Sequence, residues 1–278
     1  MSVQGLESIA KPREKALLSS IFGESESDAD DSSGEGEDQL LAECPPTDVE
    51  PPAAATVRSY TNPKTPEITI TFIEARAKGI AHQLWPAAEY LCEYLQERMG
   101  TLIDPPPPLV LELGAGLGLS GLYLASLLQA QSPGTTRVLL TDLEEALNAL
   151  QRHIYMNRLP DVPVAAAALP WGDQDSIRTL LPSTEQGVLV IAADVVYFEH
   201  LFAPLAYTLQ HLCCEHRATV IIAHLKRWKR DNQFFALLRR RGLQVEVERE
   251  EVDFVPHEHT GQPNKQIKRI YKITCGSV

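Results

Sequence analysis

The stretch VLELGAGLGLSGL (residues 110–122) ends an apolar run in four closely spaced glycines, Gly114, Gly116, Gly118 and Gly121. Glycine lets a backbone take positive φ and pass close to a ligand, because no Cβ intervenes. A helix that starts there turns its free N–H groups toward a polar or anionic group. The spacing of GLGLSG (116–121) also satisfies the dinucleotide pattern G-x-G-x-x-G, so the turn alone says only that a nucleotide binds. Asp142 follows 21 residues after Gly121, at the end of the next apolar run. A carboxylate there can accept both hydroxyls of a ribose, and the same residue can cap the helix that TDLEEAL begins. Glu112 lies two residues before Gly114 inside an apolar strand, where a carboxylate costs several kcal/mol unless it is paired. The ammonium of a methionine moiety would pair it, and so would backbone N–H groups. Asp194 and Tyr197, in ADVVY, close the fourth apolar run of the same kind, at the strand end where doubly wound folds place substrates.

These residues need a sheet to hold them. EITITFIEA (67–75) alternates and is rich in β-branched residues, which predicts a strand. HQLWPAAEYLCEYLQERM (82–99) has apolar residues at helical spacing, with Trp85 and Pro86 near its start. After the break DPPPP come strand and helix in alternation: LVLELG, the glycine turn and its helix, RVLLTDL (137–143), a helix, VPVAAAAL (162–169), a short helix near 173–181, GVLVIAADVVY (187–197), a helix, and ATVIIAHL (218–225). Nearly continuous apolar strands separated by helices predict a parallel sheet with helices on both faces. The end differs, because LQVEVEREEVDF (243–254) and IKRIYKITC (267–275) are two strands with no helix between them. The predicted fold is therefore α/β, a Rossmann-like seven-stranded sheet that is mostly parallel and closes with an antiparallel C-terminal hairpin. That closing strand favours a methyl donor over a dinucleotide, and the chain has no separate substrate domain of dehydrogenase size.

Charge is unevenly spread along the 278 residues. Residues 1–57 hold 13 acids against 3 bases, a net of −10 out of −12 for the chain. ESESDADDSSGEGED (24–38) cannot bury enough surface to offset chain entropy, and PPTDVEPPAAA reads as a stiff linker. Residues 1–57 are thus expected as a disordered tail and 58–278 as one domain. The domain is close to neutral, so neither nucleic acid nor a membrane surface is an expected partner. No run of about 18 apolar residues suggests a membrane span. Five cysteines without CxxC spacing suit reduced thiols in the cytoplasm or nucleus. His257 and His259 flank Glu258 in a Gly/Pro loop with no further ligand nearby, so no metal is expected. KRWKR (226–230), just after the fifth strand, reads either as a solvated helix face or as a receiver for an acidic partner surface.

Taken together, ELGAGLGLSGL, Trp85-Pro86, TDL (141–143), LPWGD (169–173) and AADVVYFE (192–199) resemble methyltransferase family 16, in that family's order, over roughly residues 67–275. Its members are seven-strand S-adenosylmethionine-dependent enzymes, chiefly protein-lysine methyltransferases of the methyltransferase-like 21 type. The resemblance implies that Trp85 borders the cofactor from the N-terminal helix and that Gly114, Ala115 and Gly116 line its methionine end. It also implies that Asp142 binds the ribose, that Trp171 flanks the adenine, and that Ala193 contacts the cofactor at the end of the fourth strand. Asp194 and Tyr197 match the family's Asp/Glu-x-x-Tyr/Phe pattern. Asp194 would orient the acceptor nitrogen and Tyr197 would wall the lysine channel. The partner implied is a protein carrying the acceptor lysine, and a monomeric enzyme is expected. Methylation of a small molecule or another side chain, and a silent binding module, are the alternative readings.

Overall fold

The computed structural model describes residues 55–102, 105–131, 136–181, 187–256 and 263–276. The predicted tail, except Ala55 to Val57, and the His257–His259 loop lie outside them. Seven strands form one sheet: β3 (Leu109–Leu113), β4 (Arg137–Asp142), β5 (Val164–Ala168), β6 (Leu189–Ala193), β7 (Thr219–Lys226), β8 (Leu243–Pro256) and β9 (Pro263–Cys275). Their order is β5-β4-β3-β6-β7-β9-β8. The first five are parallel, and β9 runs antiparallel to both β7 and β8. The chain therefore reaches the edge with β8 first and returns to fill the gap with β9. The order reverses between β3 and β6, the crevice where open α/β sheets take ligands.

Helices cover both faces, as the apolar strands require. Helices α1 (Pro86–Leu102), α2 (Leu119–Gln131) and α3 (Glu144–Met156) pack on one side around Val110, Val138, Leu140, Ile191 and Ile221. On the other side α4 (Gln174–Leu180), α5 (Phe202–Glu215) and α6 (Asp231–Arg240) pack around Leu111, Leu139, Val190, Val220 and Ile222. Period-two alternation along each strand sends successive side chains to opposite faces, and both are dry.

One strand was not anticipated. Residues Thr56–Asn62 form β1, which pairs antiparallel with β2 (Thr65–Glu74) as a separate hairpin. Its polar side chains are mostly exposed, so it carries no burial signal of its own. The hairpin is fixed to the α1–α3 face by polar contacts. Thr65 Oγ1 meets the Tyr123 hydroxyl at 2.6 Å, and Asn157 bonds both the N–H and the carbonyl of Thr71. The Nε2 of His153 accepts the Ile73 N–H at 3.0 Å, while its Nδ1 lies 3.0 Å from the Leu117 carbonyl. His153 thus ties the hairpin to the glycine turn.

Candidate active site

The turn after β3 is built by its own carboxylates. Gly114, Gly116 and Gly118 all have positive φ, between 54° and 76°. The Gly116 N–H donates to Asp142 Oδ2 at 2.8 Å, and Leu143 N–H donates to Oδ1 at 2.7 Å. Asp142 therefore joins the end of β4 to the turn after β3. Gly118 N–H bonds the Ala115 carbonyl. Glu112 Oε2 accepts the Gly121 N–H at 3.0 Å. The glycine N–H groups at 116, 118 and 121 are thus spent within the protein, so the turn is a preformed wall rather than a ring of free donors.

Two glycines answer steric demands from opposite directions. A Cβ at Gly114 would stand 3.0 Å from both the Trp171 ring and Val195. A Cβ at Gly121 would stand 2.2 Å from Leu140 Cδ2 and 2.5 Å from Glu112 Oε2. Gly121 therefore lets α2 rest on Glu112 and belongs to the core, not to the ligand. Gly121→Ala is expected to cost about 1–3 kcal/mol of stability through overpacking. A urea-unfolding midpoint that matches the parent would refute this.

Above the turn, residues 76–85 cross as two short 3₁₀ turns, an element the sequence did not mark. Ala75 N–H donates to the His82 carbonyl, and Leu84 N–H donates to Glu74 Oε1 at 2.9 Å, so the end of β2 and the residue after it pin the far half of this segment. Trp85 stands just before α1, with its Nε1–H on the Ile80 carbonyl at 3.0 Å.

The result is a cavity of about 870 Å³, within the roughly 300–1,000 Å³ of small-molecule sites. Ten of the residues singled out from the sequence line it, whereas Gly118 and Gly121 do not. Trp85 comes from the overlying segment, Glu112, Gly114, Ala115 and Gly116 from β3 and its turn, Asp142 from β4, Trp171 from the loop after β5, and Ala193, Asp194 and Tyr197 from the end of β6. Burial holds the Asp142 carboxyl above its ordinary range, against the Gly116 and Leu143 N–H groups. Burial pushes Glu112 up to about 8, although the Gly121 N–H opposes it. A cation arriving beside Glu112 would restore its charge. The floor of apolar side chains, the two tryptophans and the paired carboxylates fit a nucleoside with a cationic end.

At the mouth, Tyr197 meets Trp171 edge-on at 6.4 Å and Phe198 at 4.8 Å. Burial raises the Tyr197 phenol further, so it stays neutral. Asp194 has φ 60°, which a non-glycine residue rarely adopts, and its N–H donates to the Ala223 carbonyl. Its carboxylate is not free: Arg227 Nη1 and Nη2 hold Oδ1 and Oδ2 at 2.7 and 2.5 Å. Arg227 also lies 5.4 Å from the Trp85 ring. Within KRWKR, Lys226 ends β7 and residues 227–230 form the loop to α6, not a helix face. Sequence reasoning placed Arg227 in a basic cluster and did not connect it to Asp194 or to the cavity, both of which it reaches. Its signal was present, a basic cluster one strand beyond ADVVY, but the bidentate pairing is a tertiary fact.

A family model described as lysine methyltransferase matches residues 64–241. Mouse EEF1A lysine methyltransferase 3 is 30% identical over 187 residues, which span 67% of this chain and 74% of that protein. Protein-lysine N-methyltransferase EFM6 of Saccharomyces cerevisiae is 32% identical over 196 residues, spanning 65% and 76%. Mouse protein N-lysine methyltransferase METTL21A is 34% identical over 167 residues, spanning 59% and 70%. Among solved structures, a SAM-dependent methyltransferase from Agrobacterium tumefaciens superposes with a TM-score of 0.52 over 80% of this chain and 70% of that one, at 12% identity, a likeness of fold alone.

Proposed function

The chain belongs to the lysine methyltransferase family and uses S-adenosylmethionine, and on that premise we propose that it methylates a lysine of a non-histone protein at the carboxyl end of β6. When bound, the cofactor supplies an electrophilic methyl carbon on a sulfonium. The chain's own part is to bind, align and keep water out. Asp142 would hold the ribose, Trp171 the base, and Glu112 the cationic methionine end. Trp85 and the 76–85 segment would close over it.

The acceptor amine must be neutral to attack, whereas lysine ordinarily titrates at about 10.4. Asp194 orients the arriving nitrogen, and Tyr197 with Phe198 forms an aromatic wall for its alkyl stem and its methylated cation. The observation that carries this reading is convergence: ten residues chosen from five separate motifs line one cavity at the sheet's crossover point. The described cysteines are free thiols, which supports a cytoplasmic or nuclear setting. EEF1A, which the mouse relative's name gives as its acceptor, is the first acceptor to try.

Asp194→Asn keeps the shape of the side chain and removes its charge. It is expected to bind S-adenosylmethionine within a few-fold of the parent and to lose about 100-fold or more in transfer, as groups that align a nucleophile do. Calorimetric titration and labelled methyl transfer to EEF1A or extract protein measure the two effects. Full transfer by the variant would remove Asp194 from the mechanism.

A further inference from the structure

The loop that carries Arg227 is built, not incidental. Asp231 Oδ2 accepts the N–H groups of both Arg227 and Trp228, at 3.1 and 3.0 Å, and His224 Nε2 lies 3.3 Å from the same oxygen. Asp231 and His224 are 2% and 1% exposed, so the anchor is dry. From that anchor the loop projects its side chains at the cavity mouth. Trp228 is 58% exposed with Arg230 over its ring at 5.4 Å, and Phe198 across the mouth is 49% exposed. Large apolar side chains left in solvent around one opening mark a surface that another molecule covers. The cations there are Lys78, Arg227 and Arg230, and Glu145 also lines the cavity.

The ion pair raises a question of charge balance. Asp194 is 3% exposed in its side chain and Arg227 is 31% exposed, so the pair is neutral and mostly dry. An acceptor ammonium reaching Asp194 must compete for oxygens that Arg227 already holds. Two cations on one buried carboxylate would leave a net positive charge out of water, which is costly. A carboxylate brought by the acceptor cancels that charge, and a guanidinium fork suits it.

Resting on the reading above, we propose that the 227–230 loop is the acceptor-reading surface and selects a lysine with a carboxylate close beside it. The acceptor ammonium takes the place of Arg227 on Asp194, and Arg227 turns to the acceptor's carboxylate. The ammonium then gives its proton to water, and the neutral amine is left facing the methyl carbon. Trp228 and Phe198 cover the acceptor's apolar surface beside the lysine.

The test compares the full chain with Arg227→Gln and Arg227→Lys, using cell-extract protein and labelled S-adenosylmethionine, with modified lysines mapped by mass spectrometry and kcat/KM measured on the strongest acceptor found. Parent sites should carry Asp or Glu within a residue or two, or facing them on the folded surface. Arg227→Gln should lose at least about tenfold in kcat/KM on those sites, chiefly through KM, with cofactor affinity within about twofold. Arg227→Lys, which keeps the charge without the fork, should recover part of the loss, and matched thermal midpoints separate this from misfolding. Parent sites flanked only by neutral or basic residues, or an undiminished Arg227→Gln enzyme, would overturn the inference while leaving the active site standing. Bound cofactor with no transfer to any protein would overturn the active-site reading itself, and the inference with it.

Discussion

Asp142→Ala is expected to weaken S-adenosylmethionine binding by about 100-fold or more, the largest single effect on the cofactor from any substitution in the cavity. Two losses combine. The ribose would lose an ionised acceptor, and charge-assisted hydrogen bonds contribute about 1.5–3 kcal/mol each. The Gly116 and Leu143 N–H groups would also lose Oδ2 and Oδ1, so the wall of the cavity would loosen. Asp142→Asn separates these losses. Its remaining oxygen can still accept one N–H, so it should keep more of the turn than alanine does and still bind the ribose poorly. Calorimetric titration of the three proteins reads the affinities directly. Equal affinity for parent and Asp142→Ala would show that the ribose lies elsewhere.

The second large effect concerns stability in acid. His153 is 1% exposed, and burial pushes its imidazole down to about 4 from an ordinary 6.5; the Leu117 carbonyl favours the charged form, whereas the Ile73 N–H, which donates to Nε2, needs the neutral ring. The unfolded chain therefore takes up a proton below 6.5 that the folded protein refuses until about 4. Stability should fall as pH drops through that window, by an amount on the order of 3 kcal/mol in total. Glu112 works in the opposite sense. Its folded carboxyl titrates near 8 instead of 4.5, so its contribution is present at low pH and is lost as pH rises through 8. Between 4.5 and 6.5 the two partly cancel in the parent, and a variant is needed to expose the histidine.

His153→Leu removes the titration but leaves the Ile73 N–H and Leu117 carbonyl without this partner. It should cost about 2–4 kcal/mol at pH 7 and flatten the acid limb. Urea unfolding at several pH values from 4 to 8 gives both quantities. A parent and variant with the same pH dependence would exclude His153 as the source. Because the ring joins β2 to the glycine turn, the variant should also bind cofactor less tightly, a link from hairpin docking to function.

Much of this was legible in the sequence, for physical reasons that differ by element. The parallel strands are buried on both faces, so their apolar runs stand out, and the helices between them fix the topology class. The glycine turn, Asp142, Trp171 and Asp194 sit at strand ends, where a sheet must present them. What stayed hidden depends on contacts between distant segments. Strand β1 is polar on most of its length and pairs with β2, which is held by Asn157, His153 and Tyr123, far along the chain. The insertion of β9 inside β8 is set by packing, although the charges of β8, Glu246, Glu248 and Arg249 among them, suit an edge. The role of Gly121 was read as part of the ligand turn because spacing cannot tell a helix resting on Glu112 from a backbone resting on phosphate. The pairing of Asp194 with Arg227 joins residues 33 apart, and no local pattern announces it.

The central claim is that one cavity aligns donor and acceptor: nucleoside between Asp142 and Trp171, reactive carbon toward Asp194. A crystal structure of the full chain with S-adenosylhomocysteine tests it most directly. The expected result has the ribose hydroxyls within hydrogen-bond reach of Asp142, the base against Trp171, and the sulfur facing the Asp194–Tyr197 end of β6. Clear density for the nucleoside anywhere else, or with its sugar out of reach of Asp142, would contradict the account.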